Sequence, residues 1–98
     1  MAKHIVFDFD KLIEKSEGLV RLRPGVMDTL LRLYEDGTSL AFISTNPREW
    51  LRNYAYAFGI GQIAQALVGS DDIEPGSNAM TTLLRANGWS QADTLLEP

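Results

Sequence analysis

Short apolar runs alternate with stretches of helical periodicity along the chain, and this alternation restricts the fold more than any single motif does. Residues 5–9 read as a buried strand, short and rich in β-branched and aromatic side chains. Residues 11–23 read as a mixed loop carrying Gly18 and several basic residues. Pro24 suits the first turn of a helix whose apolar face is Val26, Leu30, Leu31, Leu33 and Tyr34, with Gly37 as its stop. Residues 39–44, SLAFIS, form a second buried strand. Asn46 is placed to cap the next helix, with Pro47 at its first position and Glu49 three residues after the cap. Trp50, Leu51, Tyr54 and Phe58 make the buried stripe of that helix, Tyr56 falls off it, and Gly59 ends it. Residues 66–68 suggest a third strand, and residues 69–77 a polar loop. Met80, Leu83 and Leu84 mark a third helix stopped at Asn87-Gly88, and residues 94–96 a fourth strand.

Strands that alternate with helices imply an α/β fold: a three-layer sandwich with a mostly parallel sheet of about four strands and right-handed crossovers. The length of 98 residues supports a single domain over residues 1–98 with a small core. In such sheets ligands bind beyond the carboxyl ends of the strands. Three polar clusters fall at such ends: Asp8 with Asp10, Ser44 to Asn46, and residues 69–72.

Composition removes several function classes. The net charge of −4 and the scattered basic residues argue against nucleic-acid binding through a basic field. With no cysteine there is neither a disulfide framework nor a thiolate metal site. No apolar run approaches the length that spans a bilayer, so no membrane association is expected. The N-terminus shows no signal-peptide pattern, and a cytoplasmic location is the expectation.

Charge is expensive to bury, yet the first strand runs straight into Asp8 and Asp10. A bare D-x-D is weak evidence, but its context here resembles the haloacid dehalogenase-like (HAD) superfamily of phosphotransferases. IVFDFD matches the family's opening strand and carboxylate pair, and LAFIST its second strand ending in Ser or Thr. RPGVMDTLLRL looks like the helix before that strand, and FGIGQIAQALVGSDDI like the run into the third strand. PGSNAMTTLLRANGWSQADTLL resembles the third-motif helix and fourth strand of the small, cap-less, magnesium-dependent phosphatases. The resemblance implies a truncated Rossmann-like sheet without a cap. It also implies that Asp8 attacks phosphorus and becomes an aspartyl phosphate, while Asp10 protonates the leaving group and then activates water. Asp8 and Asp10 would hold Mg²⁺ from one side of the strand, because residues two apart share a face. Ser44, favoured over Thr45 by its place at the strand end, would donate to a phosphoryl oxygen.

The family pattern breaks in two places. The expected third-motif lysine is replaced by Asn78 after PGS, and the alternative position holds Glu74. The fourth strand ends in LLEP, where Glu97 alone stands for the family's aspartates, and the fifth strand is missing. Arg48 and Arg23 are the preferred substitutes for the lost cation, ahead of Lys11 and Arg21; Thr45, Arg48 and Asn78 are the further phosphate-binding candidates. Two functions follow: a minimal phosphatase acting on a phosphorylated small molecule or protein, or an impaired relative acting as a binding protein. A sheet lacking its fifth strand exposes an edge, and a homodimer is the expected answer to it. A phosphoacceptor receiver domain is disfavoured, because no acceptor aspartate follows the third strand in the manner of receivers and no lysine follows a fifth.

Overall fold

A computed structural model describes residues 4–91 and 94–97, the last three of these by their backbone. Its elements follow the chain as β1 (His4–Asp8), β2 (Ile13–Ser16), β3 (Leu19–Leu22), α1 (Val26–Glu35), β4 (Ser39–Ile43), α2 (Arg48–Ala57), β5 (Ala64–Val68), α3 (Ala79–Asn87) and β6 (Thr94–Glu97). Four strands form one parallel sheet in the order β5-β4-β1-β6. β1 lies inside it, aligned with β4 from His4 opposite Ser39 to Asp8 opposite Ile43. The α/β reading, the parallel sheet and the strand number expected from the sequence are all present.

Alternation along the strands divides the core into two layers. Phe7, Leu40 and Phe42 point to the face covered by α1 and α2, where Leu30, Leu51, Ala55 and Ile60 bury against them. Val6, Ala41 and Val68 point to the other face, which Leu83 of α3 covers. The two chain directions across the sheet explain this. β1 to β4 to β5 runs one way, placing α1 and α2 together, and the return to β6 puts α3 opposite.

Several local expectations are corrected. The stretch 11–23 is not an irregular loop but contains the antiparallel hairpin β2–β3. Its tip is a two-residue turn in which both Glu17 (φ 52°) and Gly18 (φ 80°) are left-handed, the geometry that matches strand twist. Glu14 sits opposite Arg21, while Ile13, Val20 and Leu22 pack onto the core. Pro24 lies two residues before α1 and is not in its first turn. On α1 the core stripe is Val26, Leu30 and Leu33; Leu31 and Tyr34 lie one position round the helix and are exposed. β1 ends at Asp8, and Phe9 instead begins a 3-10 turn.

Candidate active site

The chain turns sharply where β1 ends. Phe9, fully buried, packs edge-on to Trp50 at 6.0 Å between ring centroids and stacks beside Phe58. This anchor commits residues 9–11 to a 3-10 turn. Asp8 caps the turn, its Oδ1 accepting from Asp10 N at 3.1 Å. Asp10 is therefore not on the strand, and the alternation argument for two carboxylates on one strand face does not hold. The turn, not the strand, brings the two residues together.

That turn aims the Asp10 carboxylate across at the end of β4. Ser44 Oγ donates to Asp10 Oδ1 at 2.6 Å, and Asn46 Nδ2 donates to the same oxygen at 3.3 Å. Thr45 donates to Oδ2 twice, from its backbone N at 2.9 Å and from Oγ1 at 2.7 Å. A carboxylate offers about four lone-pair sites, and these bonds use all of them. Partial burial pushes the Asp10 pKa up, but the bonds from Ser44, Thr45 and Asn46 together outweigh it and hold the pKa below the ordinary carboxylate value. Ser44 is buried and fully engaged: its backbone N donates to Val68 O at 3.0 Å, and its Oγ accepts from Asn46 N at 3.0 Å.

Asp8 differs. It accepts the single bond from Asp10 N and lines a cleft of about 250 Å³ with Ile43, Ser44, Thr45, Ser70, Ile73 and Ala79. No lysine or arginine lines this cleft among the described residues. Arg48 turns away, pairing with Asp72 at 3.8 Å, and Arg23 Nε donates to Lys11 O at 3.1 Å. Asn78 is the N-cap of α3, its Oδ1 accepting from Thr81 N at 2.8 Å. The Glu97 side chain lies outside the described residues.

The described residues hold no group of three or more acidic or histidine side chains arranged for a metal. Mg²⁺ is often held by one or two carboxylates with water and substrate oxygens completing the shell. Asp8 fits that role, since it retains acceptor capacity and faces the cleft. The Asp10 side chain would have to give up one of its four donors to join it.

Two residues of the polar clusters named from the sequence take roles that the sequence reading did not assign. Asn46 does not cap α2; Pro47 takes that position, and the Asn46 side chain belongs to the Asp10 network. Asp71 caps α2 instead, its Oδ1 accepting from Arg48 N at 2.8 Å across two loops. An S-T-N-P string ahead of a helix gives the same signal for either role, and nothing local marks Asp71.

A sequence profile of haloacid dehalogenase-like hydrolases matches residues 9–96, beginning one residue past Asp8. A pyrophosphatase, PpaX, from Halalkalibacterium halodurans is 29% identical over 97 residues, covering 96% of this chain and 42% of the relative. The crystal structure of an uncharacterized Listeria monocytogenes serotype 4b protein superposes with a TM-score of 0.80 at 17% identity, over 96% of this chain and 65% of that one. The chain thus spans about two fifths of the curated relative. The profile match extends over nearly the whole length, and the chain belongs to the haloacid dehalogenase-like hydrolase family.

Proposed function

We propose that the domain hydrolyses phosphoryl groups at Asp8 and is selective for leaving groups that depart without a proton. The carrying observation is the contrast between the two carboxylates: Asp8 faces the cleft with one bond, while Asp10 is saturated by four. In this reading a free Asp8 oxygen attacks phosphorus, forming the aspartyl phosphate as the bond to the leaving oxygen breaks. Water then attacks phosphorus, releasing phosphate and restoring Asp8.

Asp10 would serve as leaving-group acid only if protonated, and its lowered pKa opposes that. Phenolates and phosphate depart readily without a donor, whereas alkoxides do not. Aryl phosphates and phosphoanhydrides are therefore the preferred substrates, in keeping with the pyrophosphatase name of the Halalkalibacterium relative. Bound at Asp8, Mg²⁺ would supply the positive charge that no basic side chain of the cleft provides among the described residues. Ser44 and Thr45 both line the cleft, and each hydroxyl would have to release its bond to Asp10 to meet a phosphoryl oxygen.

A second reading has one observation in its favour, a cleft lining without a basic side chain among the described residues. A domain without that charge would bind but not turn over, serving as a scaffold, alone or as a homodimer. Hydrolysis of an aryl phosphate and of pyrophosphate, with and without Mg²⁺, in wild type and Asp8→Asn, separates the two. Mg²⁺-dependent turnover lost in Asp8→Asn, with alkyl phosphates slower, is expected. Turnover equal in both proteins, or none in folded wild type, overturns the enzymatic reading in favour of the scaffold.

A further inference from the structure

We propose that the open edge of β5, together with the ridge of α2 beside it, is a docking groove for an extended acidic segment of a partner protein. This inference rests on the fold and not on the chemistry at Asp8. β5 pairs with β4 on one side, and no described strand pairs with its other side. Ser44 N donates to Val68 O, so the main chain of Val68 faces β4. Alternation turns the main chain of Leu67 to the open side, while a register shift between Ala64 and Ala66 makes Gln65 the extra residue of a bulge. An unpaired edge of this kind is a template for another strand, and AQALV carries no charge or proline to block it.

The ridge above the edge gives the partner its chemistry. Arg48, Arg52 and Tyr56 succeed one another at four-residue steps on α2 and line a groove of about 310 Å³ with Gly61, Gln65 and Leu67. The Arg52 guanidinium lies 5.8 Å from the Tyr56 ring centroid. A Cβ on Gly61 would sit 2.6 Å from that ring, so glycine is what lets Tyr56 lie flat on the turn into β5. Arg48 is offset in part by Asp72, but Arg52 makes no ion pair among the described residues. Arg48 and Arg52 are the charged residues lining this groove in a chain of net charge −4, with Glu49 and Asp71 in the adjoining cavity.

Spacing favours a strand. Four residues of helix rise about 6 Å. Two residues of strand rise about 6.6 Å. Carboxylates at alternate positions of an added strand therefore keep step with Arg48 and Arg52, and an apolar residue beyond them meets Tyr56. A second copy is a poorer occupant. Its β5 brings no acidic residue, and antiparallel pairing along that edge would set the two α2 ridges side by side with Arg52 opposite Arg52.

The test uses an end-blocked octapeptide alternating Glu and Val, a Lys-for-Glu counterpart, and inorganic pyrophosphate as a free anion. Amide NMR shifts and fluorescence anisotropy are read on wild type and on Arg52→Glu, a change at an exposed position. The expected result is binding of the Glu peptide, perturbation of the Leu67 amide, and at least about tenfold weaker binding to Arg52→Glu. N-methylation of alternate peptide amides should abolish binding, since main-chain pairing is lost. Equal binding of the Lys peptide, or affinity unchanged in Arg52→Glu, overturns the proposal. So does pyrophosphate displacing the peptide while shifting the same amide, which would make this a simple anion site. A concentration-dependent dimer dispersed by Arg52→Glu would assign the edge to a second copy and also overturn it.

Discussion

The two sides of the site mouth are built in opposite ways. On the β1–β4 side Asp10, Ser44, Thr45 and Asn46 are tied into one network, and every acceptor position of Asp10 is used. On the β5–α3 side the polar groups are spent on backbone N–H groups: Asp72 on Gly69 N, Asp71 on Arg48 N of the neighbouring helix start, and Asn78 on Thr81 N. The first side is a single hydrogen-bonded unit. The second frames the cleft with its loops and, among the described residues, places no basic side chain in its lining. A cleft lined without a basic side chain need not be loosely held, because backbone capping fixes its loops.

The largest expected effect is where the two sides touch. Gly69 lies against the Arg48 backbone, and a Cβ there would overlap the Arg48 main-chain nitrogen. Its φ of −97° suits any residue, so space is the limit and not torsion. Backbone cannot yield as a side-chain tip can, so Gly69→Ala should destabilise by about 3 kcal/mol. The urea midpoint checks this. A loss below about 1 kcal/mol would show that the β4–α2 and β5–α3 loops move independently.

Next in size is the contrast between the carboxylates. Asp10→Ala strands Ser44 and Asn46 donors and should cost about 2 kcal/mol. Asp8→Ala removes one capping bond and should cost about 1 kcal/mol or less. The pH dependence has a definite sign. Asp10 is held below the ordinary carboxylate value, so it binds its proton more weakly folded than unfolded. Its contribution is present above the unfolded value, near 4, and is lost as pH falls through the lower folded value. The gap in urea midpoint between wild type and Asp10→Asn should therefore narrow as pH drops below about 4. A constant gap would break the link between Asp10 and its donors.

Parts of this were legible in the sequence because they depend on neighbours in the chain. The apolar runs of β1 and β4 and the glycine stops at Gly37, Gly59 and Gly88 announce their elements, and these glycines do take positive φ. The β2–β3 hairpin was hidden because Glu17, not the usual Asn or Asp, takes the left-handed turn position. Leu31 and Tyr34 looked like core because a 3.6-residue period admits two adjacent apolar stripes, and only packing against the sheet chooses between them. The D-x-D and S-T strings fall after β1 and β4, where Asp10 meets Ser44 and Thr45. What they did not reveal is that Asp10 leaves the strand and takes four donors from residues more than thirty positions away. Such bonds depend on the turn that Phe9 anchors, not on any local pattern.

Smaller effects test whether the β5–α3 side is held by its caps. Asn78→Ala and Asp71→Ala each remove an acceptor from a helix start, α3 and α2 respectively, and each should cost about 1 kcal/mol. The two caps serve different helices, so the double variant should lose the sum to within about 0.5 kcal/mol. A deficit well beyond the sum would mean that this side folds as one network, as the β1–β4 side does.

The smallest effect is predicted for Arg48→Ala. Its guanidinium stands 3.8 Å from Asp72, and the Arg48 side chain is 61% exposed. Water screens such a pair, and ordering a long side chain offsets much of what remains. The bond that matters to α2 comes from the Arg48 backbone N to Asp71, which alanine preserves. Arg48→Ala should therefore shift stability by no more than about 0.5 kcal/mol and leave the cost of Asp71→Ala unchanged in the double variant. A larger shift would give the ion pair a structural role, and the β5–α3 side would then depend on side-chain charge as well as on its caps.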